Sequence, residues 1–220
     1  MRSIALDIET TGLNFLDGHK IVEIGCVELL NNFPSGQKWQ RYVNPERSMP
    51  EEAFKIHGLS DDFLSGKPTF LDIVEDFLNF IKDSDLIIHN SKFDFPFINY
   101  EIESINNKSF SPMKNKIVDT LSLAKKIHPG QSVSLDALSK RYKVNIERKN
   151  HGALLDAEIL AEVFLEMNGG RQQYINLINN IEKNEIEMKL TKQNYSKKIY
   201  EVTEQEKNNH KQLIEFIKNY

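Results

Sequence analysis

Three short segments of this chain combine acidic residues with a histidine or a small turn residue. They are Asp7-Ile8-Glu9-Thr10-Thr11-Gly12, His89-Asn90-Ser91-Lys92-Phe93-Asp94 and His151-Gly152-Ala153-Leu154-Leu155-Asp156. Carboxylate oxygens are the ligands that Mg²⁺ and Mn²⁺ prefer. Two such ions, roughly 3.5–4 Å apart, form the arrangement that cleaves phosphodiesters. Four carboxylates and one histidine in these segments therefore predict a metal-dependent nuclease.

The first segment is predicted to lie at the end of a strand. Asp7 and Glu9 follow the apolar run Ile4-Ala5-Leu6, with Ile8 between them. Residues two apart in a strand share a face, so both carboxylates point to one side while Leu6 and Ile8 enter the core. Thr10-Thr11-Gly12 is then a turn whose N–H groups could meet a substrate end. Taken alone, the pair also fits a strand edge with two solvated acids.

The second segment follows another apolar run, Leu86-Ile87-Ile88, and leads into an amphipathic helix. Asp94 lies in the first turn of this predicted helix. An acid there also interacts favourably with the helix dipole, which would explain Asp94 if it stood alone.

The third segment opens a strongly helical stretch, residues 153–167. Asp156 lies in its first turns, and His151 lies on the preceding loop. An unperturbed histidine pKa near 6.5 suits proton abstraction from water at neutral pH. A lone loop histidine is more often an exposed hydrogen-bonding residue, and the neighbouring Asp156 is what favours a general base.

In this order and spacing, the three motifs resemble those of the exonuclease superfamily that carries four acidic residues and a histidine on a ribonuclease H-like fold. Within it, the chain most resembles the family of proofreading epsilon subunits of bacterial DNA polymerase III. Other similar stretches are Glu52–Leu59, Lys67–Phe70, Ser134–Leu138 and His151–Gly170. The resemblance covers about the first 170 residues.

The resemblance implies roles for individual residues. The metal ligands would be Asp7, Glu9, Asp94 and Asp156, and His151 would be the general base, so the five form the catalytic set. The residues that would contact the terminal nucleotide are Asp7, Glu9, Thr10, Thr11, Leu13, His57, Asn90, Phe93 and Asp156. For Leu13 and Phe93 a place in the core is an equal alternative, and for His57 a packing or capping role.

The resemblance also implies an activity. The protein would be a 3′→5′ exonuclease that uses two divalent ions, Mg²⁺ or Mn²⁺. It would release nucleoside monophosphates from single-stranded or frayed DNA 3′ ends and would proofread for a replicative polymerase. Its partners would be single-stranded DNA and the DNA polymerase III alpha subunit, with a theta-like subunit or sliding clamp as further candidates. An RNA-trimming exonuclease shares the chemistry at phosphorus and stays open. A non-catalytic polymerase-binding scaffold is disfavoured by four intact carboxylates.

The predicted elements indicate how these segments are positioned. Strand patterns lie near 2–9, 20–32, 36–44, 85–89 and 115–118, and helical patterns near 51–57, 69–82, 94–105, 119–127, 134–142 and 153–167. Short connections between the first three strands indicate an antiparallel meander. Later strands alternate with helices, which is typical of a layered α/β domain. The predicted fold is an α/β ribonuclease H-like fold, with a central mixed five-stranded sheet flanked by helices and a helical C-terminal tail.

The predicted exonuclease domain is residues 1–170, ending at Gly169-Gly170. Residues 171–220 form a helical or flexible tail that could bind a partner. The tail contains an apolar stripe at helical spacing, formed by Leu213, Phe216, Ile217 and Tyr220. Such a stripe would suit binding in a partner's groove, or packing on the chain's own domain. Gln212–Phe216 weakly resembles a clamp-binding motif, although Glu215 stands where an apolar residue belongs.

The net charge of −4 is unusual for a nucleic-acid-binding protein. Bound cations would offset part of the acidic charge. The chain also has a cationic stretch, which comprises Lys140, Arg141, Lys143, Arg148 and Lys149. This stretch could guide phosphates, although a solvated surface is the simpler interpretation. The single cysteine, Cys26, cannot form an internal disulfide. The absence of an apolar leader or a long apolar span predicts a cytoplasmic protein without membrane contact.

Overall fold

The structure is a computed structural model, which describes residues 1–105, 110–144, 146, 151–170 and 203–218. The chain divides into two units, Met1–Gln173 and Tyr174–Tyr220. The first unit holds a sheet and seven α-helices among its described residues, and the second holds one described helix.

The sheet has five strands in the order β3-β2-β1-β4-β5. The strands are β1 Arg2–Thr10, β2 Ile21–Leu30, β3 Phe33–Tyr42, β4 Asp85–Ile88 and β5 Ile117–Asp119. β2 pairs antiparallel with β1 and with β3, whereas β4 runs parallel to both β1 and β5. The predicted meander and mixed five-stranded sheet are therefore confirmed.

Seven helices follow or flank the strands. They are α1 Glu51–His57, α2 Asp61–Ser65, α3 Phe70–Ile81, α4 Ser91–Ser104, α5 Thr120–Ile127, α6 Leu135–Tyr142 and α7 Ala153–Met167, and a short 3₁₀ turn covers Phe15–Asp17. α2 lies outside the helical patterns given above, because five residues are too few to show helical periodicity. Its start is nevertheless marked by Ser60, whose side chain accepts a hydrogen bond from the Phe63 N–H.

β1 lies in the middle of the sheet and is covered on both faces. Ile4 and Leu6 pack in one buried cluster with Phe77 of α3 and Phe97 of α4. Ala5 points the opposite way, into a second cluster with α7 residues that include Ala157, Leu160 and Ala161. The small alanines allow α7 to lie close to the strand. The acidic residues of β1 thus sit at one end of a strand that is rigidly held by its core.

In the second unit, α8 spans Glu204–Lys218. Its first turn is preceded by Thr203, whose N–H and hydroxyl both donate to Glu206. The side chains of the predicted apolar stripe and most of the clamp-like segment lie outside the described residues, as does Tyr220. Among the described residues, no helix is long and apolar enough to cross a membrane.

Candidate active site

The four predicted carboxylates come from three neighbouring elements at one edge of the sheet. Asp7 and Glu9 lie near the end of β1, and Asp94 lies in the first turn of α4, directly after the parallel strand β4. Asp156 lies in the first turn of α7. Since β1 and β4 run parallel, their carboxyl ends meet at the same edge, and this brings segments far apart in sequence together.

Direct contacts show that the segments meet. The Ile8 N–H donates to Asp94 Oδ1 at 3.3 Å, which joins the start of α4 to β1 between the two β1 carboxylates. Ligand atoms of Glu9, His151 and Asp156 lie within 4.8 Å of one another. Asp94 and Asp156 are only 3% and 5% exposed, although isolated buried carboxylates are strongly disfavoured.

The electrostatics of the cluster follow from this crowding. Burial raises the pKa of Asp7 well above its ordinary value, and repulsion from Asp94, Asp156 and Glu9 raises it further. Burial also raises the pKa of Asp94, against the hydrogen bond from the Ile8 N–H. Such repulsion is relieved by cations held among the carboxylates. The oxygen-rich donor set fits divalent metal ions of the Mg²⁺ or Mn²⁺ type.

His151 lies two residues before α7 and faces the same cluster. Its Nδ1 lies 3.2 Å from Asp156 Oδ2, while 46% of its side chain is exposed. Asp156 therefore orients the ring, and solvent still reaches it. This is the geometry expected of a histidine that exchanges protons with water.

A cavity of about 480 Å³ opens beside Glu9. Its lining includes five of the predicted nucleotide contacts besides Glu9, namely Thr10, Thr11, Leu13, His57 and Phe93. Leu13 is 84% exposed, so the alternative that it belongs to the core is wrong. Phe93 is half-buried and packs against Phe97, with ring centroids 5.6 Å apart. It serves the core and the cavity wall at once.

His57 also combines a local and a cavity-facing role. Its Nδ1 accepts a hydrogen bond from the Leu59 N–H at 3.1 Å, as the capping alternative predicts. Its Nε2 is buried, and the Thr10 backbone also interacts with the ring. Burial lowers the pKa of His57, and the hydrogen bond that Nδ1 accepts from Leu59 leaves the proton of the neutral ring on Nε2.

Asn90 is not among the residues that line this cavity. It is exposed and begins α4 in the left-handed conformation, with φ 70°. Its proposed contact with a nucleotide stays a prediction. In the cationic stretch, Arg141 donates to the Ser132 carbonyl, and Arg148 and Lys149 lie outside the described residues.

Two residues near the site were missed by the sequence analysis. Glu23 on β2 is only 2% exposed and lies directly opposite Glu9 in the β1–β2 pairing. A charge inside the apolar run of residues 21–30 was the available signal. His19 lines the cavity, and its ring packs on Gly12 while its Nδ1 lies 3.1 Å from the Thr11 hydroxyl. Its loop position carried no comparable signal.

Comparison with known proteins agrees with this site. The exonuclease family profile, RNase_T, matches residues 4–164. A protein of Rickettsia conorii named DNA polymerase III subunit epsilon is 43% identical over 225 residues, which cover 99% of this chain and 96% of that protein. The protein of the same name from Salmonella typhimurium is 47% identical over 178 residues, covering 77% of this chain and 72% of that protein.

The rickettsial alignment corrects one expectation. Similarity to such subunits was expected to end near residue 170, yet the rickettsial alignment covers 99% of the chain and so continues into residues 171–220. The Salmonella alignment covers 77% of the chain. The tail is therefore shared with at least part of the family.

Solved structures confirm the predicted ribonuclease H-like fold. Exonuclease X, in complex with 5′ overhanging duplex DNA, has a TM-score of 0.60 at 25% identity, over 76% of this chain and 89% of that chain. The nuclease domain of 3′hExo bound to rAMP has a TM-score of 0.64 at 19% identity, over 76% of this chain and 92% of that chain. At this identity the similarity supports a shared fold and nothing further. The chain belongs to the exonuclease family and, within it, to the DNA polymerase III epsilon subunits, and it is a 3′→5′ exonuclease.

Proposed function

We propose that this exonuclease removes nucleoside monophosphates from single-stranded or frayed DNA 3′ ends and proofreads for a replicative polymerase. The observation that carries the proposal is the convergence of four carboxylates and His151 beside an open cavity. The curated relatives, named as polymerase III subunits, support a DNA substrate over RNA.

The carboxylates would hold two divalent ions, Mg²⁺ or Mn²⁺. Family members generally use divalent metals. Glu9 and Asp156 lie close enough to share an ion. Asp7 lies among the other acids, where it could be a ligand of both ions. Asp94 would complete the set from α4. When bound, the ions would supply Lewis-acid stabilisation of charge on phosphate oxygens.

His151 would act as the general base. In the tautomer that donates from Nδ1 to Asp156, the basic nitrogen of the ring is Nε2. This nitrogen would take a proton from the attacking water. The water oxygen would bond to the terminal phosphorus as the bond from phosphorus to the 3′ oxygen of the preceding nucleotide breaks. That 3′ oxygen would take up a proton from water, which leaves a nucleoside monophosphate and a strand shortened by one nucleotide.

The cavity beside Glu9 would hold the terminal nucleotide. Its volume lies in the range of small-ligand pockets, about 300–1,000 Å³. Thr10 and Thr11 would contribute polar groups near the 3′ end, and His57 would form part of the wall beside them. Leu13 and Phe93 would offer apolar surface to the bases. A terminal nucleotide must separate from its complement to enter, and a mispaired end separates more readily.

A polymerase would be the principal protein partner. The proposal assigns contact with the DNA polymerase III alpha subunit to the tail, residues 171–220, and keeps a theta-like subunit and the sliding clamp as further partners. Such a role would place the protein in the cytoplasm with the chromosome. Substituting Phe216 and Ile217 with Asp in the full chain should weaken capture of the polymerase subunit without loss of nuclease activity, whereas Asn208→Asp should not.

The nuclease proposal is tested by degradation of matched primers. Mispaired DNA, fully paired DNA and RNA of the same sequence are incubated with Mg²⁺ or with EDTA, using the wild type and Asp7→Asn. We expect the mispaired DNA to be degraded faster than the fully paired DNA and the RNA. This degradation should depend on Mg²⁺ and should be absent in Asp7→Asn.

Other outcomes identify the alternatives. Faster loss of RNA would move the chain to the RNA-trimming branch. No turnover under any condition, with the polymerase still captured, would indicate a scaffold.

A further inference from the structure

Glu23 is a buried carboxylate that the proposed mechanism leaves without a role. It lies on β2 directly opposite Glu9, so the two side chains share the face that carries the site. Like charges directly opposite one another in an antiparallel pair are destabilising. Burial raises the pKa of Glu23, and Asp156 adds to the repulsion. A residue kept in such surroundings needs compensating contacts.

The compensating contacts come mainly from the start of α7. The Glu23 carboxylate lies at the start of α7, because its Oε2 would be 3.8 Å from a Cβ added at Gly152. The backbone of Ala153 and Leu154 lowers the pKa of Glu23 against the effect of burial, and Gln40 Nε2 donates to its Oε1 at 2.7 Å. The first N–H groups of a helix have no partner within the helix. The N-cap of α7 is Gly152, which has no side chain to accept them. The Glu23 carboxylate is therefore placed to supply, from β2, the acceptor that a Ser or Asp N-cap would otherwise supply.

The same strand also brings α7 close. Gly25 is the next residue along this face of β2, and a Cβ there would lie 2.2 Å from the Ala153 carbonyl carbon and from the Leu154 nitrogen. The first turn of α7 thus rests directly on the β2 backbone. β2 is in turn paired with the β1 segment that carries Asp7 and Glu9.

We propose that Glu23 is a positioning residue: by holding the first N–H groups of α7, it sets the place of His151 and Asp156 against Glu9. His151 precedes Ala153 by two residues, and Asp156 follows it by three. Any displacement of this turn moves both side chains relative to β1. The inference rests on the proposed roles of His151 and Asp156.

The test compares Glu23→Ala with Glu23→Gln in the full-length protein. The amide oxygen of Gln can still accept from α7, and Gln40 can turn its own amide to pair with the new NH₂ group. Three quantities are measured: amide hydrogen exchange at Ala153 and Leu154 without metal, Mn²⁺ affinity without substrate, and the Mn²⁺ concentration for half-maximal activity. Glu23→Ala should speed the exchange and weaken Mn²⁺ binding and activation by about 10-fold or more, as outer-shell substitutions do. Glu23→Gln should restore all three to within about threefold.

Glu101→Gln is the matched control. Glu101 is 4% exposed and accepts from the Ile21 N–H at 3.1 Å and from Lys20 Nζ at 2.9 Å, so it is also a buried carboxylate that ties a helix to β2. The Glu101→Gln substitution should lower stability without changing amide exchange at Ala153 or the Mn²⁺ affinity. Unchanged exchange and affinity in Glu23→Ala, or an equal effect of Glu101→Gln, would overturn the positioning role.

A further variant separates this proposal from the proposed function. Asp156→Asn should lose Mn²⁺ binding while the Ala153 and Leu154 amides stay protected. If Asp156→Asn binds Mn²⁺ like the wild type, the assigned metal role of Asp156 is wrong, and the positioning role falls with it. If all variants bind Mn²⁺ as expected but none degrades nucleic acid, the nuclease proposal fails while the positioning of the metal-binding side chains stands.

Discussion

Replacing Gly25 with Ala should damage catalysis far more than it damages the fold. The added Cβ would lie 2.2 Å from the Ala153 carbonyl carbon and the Leu154 nitrogen, and 2.4 Å from the Ala153 oxygen. All three are backbone atoms, so no side-chain rotation can relieve the contact. The first turn of α7 must move away from β2, and it carries Asp156 with it.

The size of this movement follows from the contact distance. Ordinary van der Waals contact begins at 3.4 Å, so the turn must retreat by the difference from 2.2 Å, which is 1.2 Å if β2 stays in place. Overpacking of this kind costs about 1–3 kcal/mol of stability. A misplacement of about 1 Å costs an enzyme about 100-fold in rate. We therefore expect a folded protein with a kcat reduced about 100-fold.

Single-turnover degradation of a single-stranded DNA primer measures the catalytic effect, and urea unfolding measures the stability. Gly66→Ala is the matched control, because a Cβ at Gly66 would meet nothing within 4 Å and its backbone φ is −91°. The control should keep the wild-type rate. A Gly25→Ala protein with a wild-type rate would refute the conclusion that contact between α7 and β2 sets the catalytic geometry.

Three further outcomes are expected. His151→Gln should lower kcat by about 10²–10⁴-fold, because a general base is lost; a small change in rate would assign the base elsewhere. Burial and the neighbouring acids raise the pKa of Asp7, so the folded protein holds protons that the unfolded chain has released, and stability in EDTA should fall as pH rises above about 4, the ordinary pKa of an aspartate in the unfolded chain. Asp7→Asn should flatten that slope in urea unfolding, and an unchanged slope would contradict the assignment. Leu13→Ala should raise KM for single-stranded DNA about tenfold, a loss of about 1.4 kcal/mol, without changing stability, since Leu13 is 84% exposed; an unchanged KM would remove it from the binding surface.

The β1 motif shows how far local pattern carries. Alternation of side chains in a strand is a property of adjacent residues. The prediction that Asp7 and Glu9 share a face, with Leu6 and Ile8 in the core, therefore needed no tertiary information, and the structure places Leu6 and Ile8 at 0% and 4% exposure. The helix predicted over residues 153–167 has the bounds found for α7, because its apolar periodicity persists over four turns.

Other features could not be read from local pattern. Nothing near Leu13 distinguishes a core residue from an exposed one, because that depends on whether another element covers it. From the sequence, Glu23 is only a charged residue that interrupts an apolar strand. Its position against the start of α7 becomes visible only in the folded structure. Residue 23 and residue 153 are joined only by the fold.

The identity of the chemical groups was thus available from sequence order, because residue type and short-range periodicity are properties of a few consecutive positions. The distances between those groups were not. The approach of Asp94 to Ile8, of Asp156 to Glu9 and of α7 to Gly25 depends on the parallel pairing of β4 with β1 and on close packing of α7 over the sheet. These long-range contacts are set by burial of the shared core, which no single segment contains, and they decide whether four acids form one metal-binding site.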